Sequence, residues 1–504
     1  MPRSTSLPPP SGPNRAGLRG LCAAGLCLAA VSAACSKGPA DPTGVLWISI
    51  DSLRADHLSC YGYRSATRPN LETTPAIDRL LAREGILFEQ AFSTTSWTLP
   101  SHVAMLSGLP NQTHRVLDLP DRIPRDLHWL PEAFELAGFS TFGVWSGPNL
   151  HPFFGFARGF EQYEDRSSSD RLGDGSVFRA TDTEGWEALQ EVHDESHETV
   201  TGERVAQAFE EYALGLGDEP FFAFAHLWDV HYDYHPPEHF DVFYPNYQGS
   251  VTGEGFTKLS RGARLSGTDL ARWISLYDAE IRFTDENVGR MLAALDAADR
   301  TADTLIVLTS DHGEEFAEHG AFGHKATLFD EVLHVPLILR CDGRVPAGQR
   351  ETALVSLIDL APTVASLLGV EYDAPGGGLD LSRLWSKQPS DLSERNLPIE
   401  MTLRPFGIHL GGTRGQKSKV VIGRYSEKSK EITVLHDLVR DPGEHEQLVE
   451  GRDLQRDDPR VLRARDDLSR WLAHGDRYTH SSESAMPGEL RQALEETGYL
   501  ERKQ

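Results

Sequence analysis

Apolar runs of strand length recur along the chain, each followed by a polar break. They are Val45–Ile50 (VLWISI), residues 139–145 (FSTFGVW), Glu219–Trp228 (EPFFAFAHLW) and Thr304–Ser310 (TLIVLTS). Near-continuous apolar runs suit strands covered on both faces, whereas half-solvated strands alternate. Between the runs the period lengthens. Thr74-Pro75 opens a stretch with apolar Ile77, Leu80 and Leu81 that closes at Gly85, which predicts a helix. Helical patterning covers roughly Asp269 to Ala298, and LVSLIDLAPTVASLLG (354–369) reads as a strand or turn leading into a helix. In TSWTLPSHVAMLSG (95–108), Pro100 suits the first helical position, with Val103 and Leu106 on the inner face. The alternation predicts an α/β fold with a large, mostly parallel sheet flanked by helices. Beyond about residue 395 the chain becomes β-like with Gly-rich breaks. That predicts a catalytic domain over 45–395, a smaller C-terminal β-sheet plus helix subdomain over 396–475, and a polar tail over 476–504.

The N-terminus follows another pattern. Arg3, Arg15 and Arg19 precede LCAAGLCLAAVSAAC (21–35), an apolar stretch of signal-peptide size and too short to span a bilayer comfortably. The small residues before Cys35 resemble a bacterial lipoprotein processing box, although Ser32 stands where Leu or Val is commoner. Residues 1–35 are therefore expected to be a lipoprotein-type signal peptide, and 36–44 a linker. Plain signal-peptidase cleavage at the same Ala-rich site is the alternative. Either way the expected location is the bacterial periplasm or outer membrane, with membrane contact only through an N-terminal lipid.

The charge balance narrows the partners. The 504 residues carry 49 Lys+Arg against 75 Asp+Glu, a formal net charge of -26. This excludes a nucleic-acid binder, which needs a basic face, and is compatible with carboxylates that hold a hard cation. Cys60 and Cys341 are the cysteines beyond the leader. They read as separate buried thiols, although an oxidising compartment permits a pair.

Candidate chemistry gathers where strands end. Asp51 follows the first run, Asp229 and His231 follow the third, and Asp311-His312 follow the fourth. Ligands of open α/β sheets collect beyond the carboxyl ends of the strands. Asp229, His231, Asp233 and His235 alternate as they would on one face of an extended strand. Glu314, Glu315, His319, His324 and Lys325 crowd the segment after Asp311. Thr98 sits at a helix N-terminus, where free N–H groups and the dipole favour an anion. There it is either an activated nucleophile or, like Ser96, a helix cap.

Taken in order, ISIDSLRADHLSCYGY, TLPSHVAMLSG, SDHGEEFAEHG, KATLFDEVLHVPLIL and LHDLVRDPGEHEQL resemble the motif series of the sulfatases of the alkaline phosphatase superfamily, over about residues 43–475. The resemblance implies an alkaline phosphatase-like fold and hydrolysis of a small or polymeric anionic ester. It implies one divalent metal, calcium by family habit, with manganese or zinc admitted by a His ligand. Asp51, Asp311, His312 and the nucleophile oxygen of Thr98 fall at metal-ligand positions, with Ser52 at the position of a further acidic ligand. His231 matches the His that contacts the ester, and Lys325 the Lys that neutralises its charge. His324 is a second candidate for assisting the leaving group.

The departures are equally specific. Thr98 stands where sulfatases carry the Cys or Ser that becomes formylglycine, so no formylglycine is expected. His102 replaces the motif Arg. SGPNL (146–150) puts Gly147 and Asn149 where the second signature has Lys and His. Threonine nucleophiles belong to phosphodiesterase and phosphotransferase relatives. A phosphodiesterase or phosphotransferase using the same site is therefore one alternative reading. A catalytically inactive, surface-anchored binding protein is another.

Overall fold

The computed structural model describes residues 41–167, 200–386, 394–426 and 428–475, together with 192, 196, 197, 392, 477 and 478. The expected leader with Cys35, most of the linker and nearly all of the polar tail lie outside the described residues.

The apolar runs form the centre of one large sheet. Its strands are β1 (Gly44–Ile50), β2 (Ile86–Phe92), β3 (Ser140–Trp145), β4 (Gln162–Asp165), β5 (Phe221–Leu227), β6 (Thr304–Ser310), β7 (Leu337–Arg340) and β8 (Gln349–Ser356). They lie in the order β8-β2-β7-β6-β1-β5-β3-β4. β1 pairs in parallel with β5 and β6, and β3 in parallel with β5 and β4. β7 is antiparallel to both neighbours, and His334–Val335 add a short antiparallel pairing to β2. Every residue of β1, β5 and β6 is buried. One layer of core includes Trp47, Phe222 and Val307, and the other Leu46, Phe221 and Ile306, so neighbouring residues of one strand feed opposite faces.

Helices cover both faces. They are α1 (Thr98–Ser107), α2 (Leu130–Leu136), α3 (Gly202–Ala213), α4 (Gly267–Ala297) and α5 (Leu360–Leu368). α1 starts two residues before the expected Pro100, which therefore sits third in the helix, still within the turn whose N–H groups have no helical acceptor. The helix expected after Thr74 is a short α-turn, Pro75–Ile77, continued by a π-turn over Asp78–Ala82. Asp285 of α4 anchors its start by accepting from Ala76 N and Ile77 N.

The C-terminal part is an antiparallel sheet of β9 (Asn396–Leu403), β10 (Ile408–Gly415), β11 (Ser418–Arg424), β12 (Ile432–Asp437) and β13 (Leu448–Val449), followed by α6 (Pro459–Gly475). Leu397, Ile399 and Met401 alternate inward along β9 and pack with Phe92, Leu333 and Leu354 of the larger sheet's side. A buried ionic knot joins the two parts. Lys419 Nζ lies 2.6 Å from Asp330 and 2.8 Å from Glu444, and Arg414 lies 2.9 Å from Asp330. Cys60 and Cys341 are both free thiols.

Candidate active site

Parallel neighbours deliver the site. Register pairs Ile50 of β1 with Leu227 of β5 and with Ser310 of β6, so Asp51, Trp228 and Asp311 emerge side by side. α1 then brings Thr98 beneath them. Its N-cap is Trp97, which makes no side-chain capping bond, and the Thr98 hydroxyl does not cap the helix either. Thr98 Oγ1 instead lies 3.3 Å from Asp51 Oδ2 and 3.2 Å from His312 Nε2, fully buried. Ser101 Oγ donates to the Asp311 carbonyl at 2.6 Å, which fixes α1 against the end of β6. Ser96 is buried with its hydroxyl unbonded.

Asp51, Asp311 and His312 present one ligand atom each within 4.8 Å of one another. The proton count at this point is informative. His312 Nδ1 donates to the Gly313 carbonyl at 2.9 Å, which leaves a lone pair on Nε2. That lone pair lies 3.3 Å from Asp311 Oδ2 and 3.8 Å from Asp51 Oδ1. Asp311 Oδ2 accepts no hydrogen bond, while Oδ1 accepts from Ser52 N and His312 N. Burial and the neighbouring Asp51 push Asp311 well above the usual carboxylate range. Burial also acts on Asp51, but His226 and the other imidazoles outweigh it and hold Asp51 well below that range. Buried carboxylate and imidazole lone pairs that converge beside the Thr98 and Ser52 hydroxyls fit a divalent cation.

Ser52 stands apart from that set. It has φ 55° and donates its hydroxyl to Asp51 Oδ1 at 2.7 Å, so it orients the carboxylate. His102 lies behind the cluster, with Nδ1 3.7 Å from Asp311 Oδ2. Its Nδ1 donates to the Thr98 carbonyl at 2.9 Å, and its Nε2 accepts from Ser49 Oγ at 2.9 Å. Burial, then His226, lowers its pKa well below the usual imidazole value. It positions the turn that carries Thr98.

His226 was missed from sequence. It lies on β5 beside Ser49, with Nε2 3.5 Å from Asp51 Oδ2 and its ring edge-on to His102 at 4.7 Å. The available signal was a lone His in the otherwise apolar FFAFAHL.

The other side of the site is aromatic. His231 stacks on Trp228 at 3.8 Å, donates Nδ1–H to the Tyr232 carbonyl at 2.6 Å, and keeps a buried, unbonded Nε2. Burial lowers its pKa to about 3, and that of His312 to about 4, so both are neutral near pH 7. His324 lies 4.3 Å from the His312 ring and 5.0 Å from that of His231, with Nδ1 3.3 Å from Glu314 Oε2. Lys325 has φ 74°, donates its backbone N–H to Ser96 O at 3.0 Å, and holds Nζ 4.8 Å from the Trp97 ring centroid. Burial lowers its pKa to about 7 against the pull of Asp118, Asp51 and Glu314.

The expected extended face of alternating Asp and His does not form. Residues 229–233 make turns and bends. Asp229 turns back to the start of α3, accepting from Thr201 N and Gly202 N, and Asp233 accepts from Phe256 N at 2.9 Å. His235 gives its backbone N–H to Glu280. Only His231 of that series reaches the cluster. Likewise Glu315 braces a tight turn through His319 N and Ala321 N, and His319 stacks on Phe329 at 3.6 Å. Gly147 has φ +86°, and a Cβ there would stand 2.2 Å from Trp228 Cε3. The indole fills the space a Lys side chain would need.

Comparison with known proteins identifies the family. The family model described as Sulfatase matches residues 43–370. The chain belongs to the sulfatase family. The sulfatase is 26% identical over 432 residues to iduronate 2-sulfatase from Homo sapiens, which covers 72% of this chain and 76% of that protein. Its fold is similar to the structure of BT4656 in complex with its substrate D-glucosamine-2-N,6-O-disulfate, with TM-score 0.66, 19% identity, and coverage of 87% of this chain and 98% of that one. It is also similar to the phosphonate monoester hydrolase of Agrobacterium radiobacter, with TM-score 0.63, 20% identity, and coverage of 89% and 98%. These matches place the sulfatase among the hydrolases of the alkaline phosphatase-like superfamily.

Proposed function

We propose that this sulfatase-family hydrolase cleaves an anionic sulfate ester by in-line attack of Thr98 Oγ1. The observation that carries the reading is the direction of the buried Thr98 hydroxyl, which points at Asp51 and His312 instead of capping α1. Asp51, Asp311 and His312 would hold a divalent cation, which supplies Lewis acidity and charge compensation at that oxygen. An imidazole beside two carboxylates suits manganese or zinc better than the calcium of family habit.

The chain's own groups account for the remaining steps. With His312 Nε2 given to the cation, the Thr98 proton passes to Asp51 Oδ2, to which the hydroxyl already donates at 3.3 Å. The threonine oxygen bonds to sulfur as the alcohol oxygen leaves. Lys325 offsets the charge on the non-bridging oxygens when protonated. His231 and His324 are neutral in the resting site; the bound anion favours their protonated form, which then supplies the departing alkoxide. A water activated by the same imidazoles attacks the sulfo-threonine and releases sulfate. No hemiacetal route exists on threonine, so this second displacement is the slow half.

A phosphate or phosphonate ester is the second reading. Gly147 with Trp228 behind it removes a sulfate-facing cation, and phospho-threonine hydrolyses by the same in-line displacement. The test is a panel of aryl sulfate, phosphate monoester, phosphate diester and phosphonate monoester with calcium, manganese or zinc, on wild type and Thr98→Ala. Sulfate turnover lost in Thr98→Ala, with a sulfo adduct in the wild-type intact mass, supports the first reading. Turnover of phosphorus esters alone replaces it by the second. Turnover that survives Thr98→Ala overturns the nucleophile assignment.

A further inference from the structure

The ends of the parallel strands divide the molecule into two edges. Asp51, Trp228, His231, Asp311 and His312 lie at the carboxyl ends of β1, β5 and β6. The opposite edge begins at Gly44, which is in register with Phe221 of β5 and Thr304 of β6, while Ser140 of β3 also pairs with Phe221. At about 3.3 Å per residue, β1 puts Asp51 roughly 23 Å from Gly44.

The chain enters at that opposite edge and is pinned there. Thr43 N donates to Asp303 O, the Thr43 hydroxyl donates to Asp303 at 2.6 Å, Phe221 N donates to Thr43 O, and Asp41 pairs with Arg344. Five residues, SKGPA, separate Asp41 from Cys35 of the lipoprotein-like leader. Even fully extended, that link reaches only about 20 Å.

The same edge carries the two most exposed large apolar side chains of the described residues. Leu136, the last residue of α2, is 87% exposed, and Leu214, just past α3, is 85% exposed. α2 packs into one core layer through Phe134 and α3 into the other through Phe209, so the leucines flank the sheet from its two sides. Arg300, by bonding Gly217 O and Glu219 O, ties the loop after Leu214 to the Thr43 anchor. Glu135, Asp218 and Glu219 are exposed beside them, which leaves apolar insertion rather than attraction to anionic headgroups as the contact.

We propose that the mature chain, acylated at Cys35, rests this strand-entry edge on a lipid bilayer through Leu136 and Leu214, with the Thr98 site turned away from it. A lipoprotein-type cysteine carries a diacylglyceryl group, which anchors the chain without fixing its orientation; the two leucines on the tethered edge supply the orienting contact. The orientation takes substrate from the aqueous side rather than from headgroups of the supporting bilayer.

The test uses the full chain, expressed with its leader and reconstituted into phosphatidylethanolamine/phosphatidylglycerol vesicles containing brominated lipid. In a Cys60→Ser, Cys341→Ala background, a fluorophore is attached through Leu136→Cys, Leu214→Cys or, on the catalytic side near Phe256, Glu254→Cys. Loss of fluorescence at 136 and 214 with none at 254 is expected. Quenching at 254 instead, or at none of the three, overturns the orientation. Cys35→Ser is expected to move the chain from the membrane to the soluble fraction; unchanged membrane recovery overturns the tether. Neither outcome depends on which ester the site cleaves.

Discussion

Replacing Asp311 by Asn separates the cost of the empty cluster from the gain on filling it. The Asp311→Asn side chain keeps a carbonyl oxygen for Ser52 N and His312 N, while its new N–H group faces the His312 Nε2 lone pair at the present 3.3 Å. A buried carboxyl whose ionisation beside Asp51 is disfavoured disappears, and an unbonded oxygen becomes a donor. Removing an unsatisfied buried group of this kind recovers about 1–3 kcal/mol. With an unfolding entropy of about 2.1 cal/mol/K per residue over roughly 400 ordered residues, 1 kcal/mol moves Tm by about 1 °C. Metal-free Asp311→Asn is therefore expected to melt about 1–4 °C above metal-free wild type. Wild type in manganese or zinc at a hundred times Kd gains about 2.7 kcal/mol, or about 3 °C, by linkage. The variant gains little of this and loses hydrolysis. Calorimetry in chelator and in each metal reads all four states. A metal-free variant that melts below wild type, or one stabilised by metal as much as wild type, refutes the assignment of Asp311 as a costly cation ligand.

Other perturbations have equally definite signs. With Lys325 titrating at about 7, its charge is complete below that pH and lost as pH rises through it, so kcat/KM is expected to fall above neutrality, mainly through KM. Lys325→Arg moves that limb to higher pH, and an unmoved limb assigns it to another group. The same depressed pKa makes buried Lys325 destabilising below about pH 7, a penalty that fades as pH approaches the unfolded value of 10.5. Gly147→Ala drives a methyl into Trp228 at a positive φ and is expected to cost about 1–3 kcal/mol, part of it regained with Trp228→Leu in the same chain; a neutral Gly147→Ala would show that the indole yields. Lys419→Met strands Asp330 and Glu444 and is expected to cost about 3–5 kcal/mol in denaturant unfolding, recovered in part by Glu444→Gln; no recovery would mean the knot is not the cause.

The sheet's centre was legible because burial on both faces leaves a continuous apolar run, and β6 spans the expected Thr304–Ser310. The strands toward the β8 edge were less so. β2 (ILFEQAF) carries Glu and Gln in its middle and blends with its surroundings. Within the site, residues that follow a buried strand directly were readable, since the fold class fixes where such ends point. The alternation from Asp229 to His235 misled because period 2 describes a strand, and the chain turns as soon as β5 ends. His226 was hidden for the opposite reason, since a His within a strand gives no motif. Ser52 and His102 occupy positions defined by resemblance, but their hydrogen bonds go to the groups behind the reacting atoms, which no spacing rule reveals.

The three departures from the sulfatase pattern bear on whether the site is active. A scaffold that had lost catalysis would be free to shed groups that cost stability. At Gly147 and His102 the replaced groups are accommodated, with Trp228 packed over one and both ring nitrogens of the other bonded. The costly groups are all present. Asp51 and Asp311 are buried close together, Asp311 Oδ2 and His231 Nε2 have no hydrogen-bond partner, and Lys325 is buried with its charge disfavoured. Neutral, well-packed residues would relieve each of these at no loss to a binding surface elsewhere. Several such groups converge on Thr98 Oγ1, where a cation and an anionic ester would offset them. That convergence favours a working hydrolase over an inert binding protein, and the metal-free melting of Asp311→Asn tests one member of it.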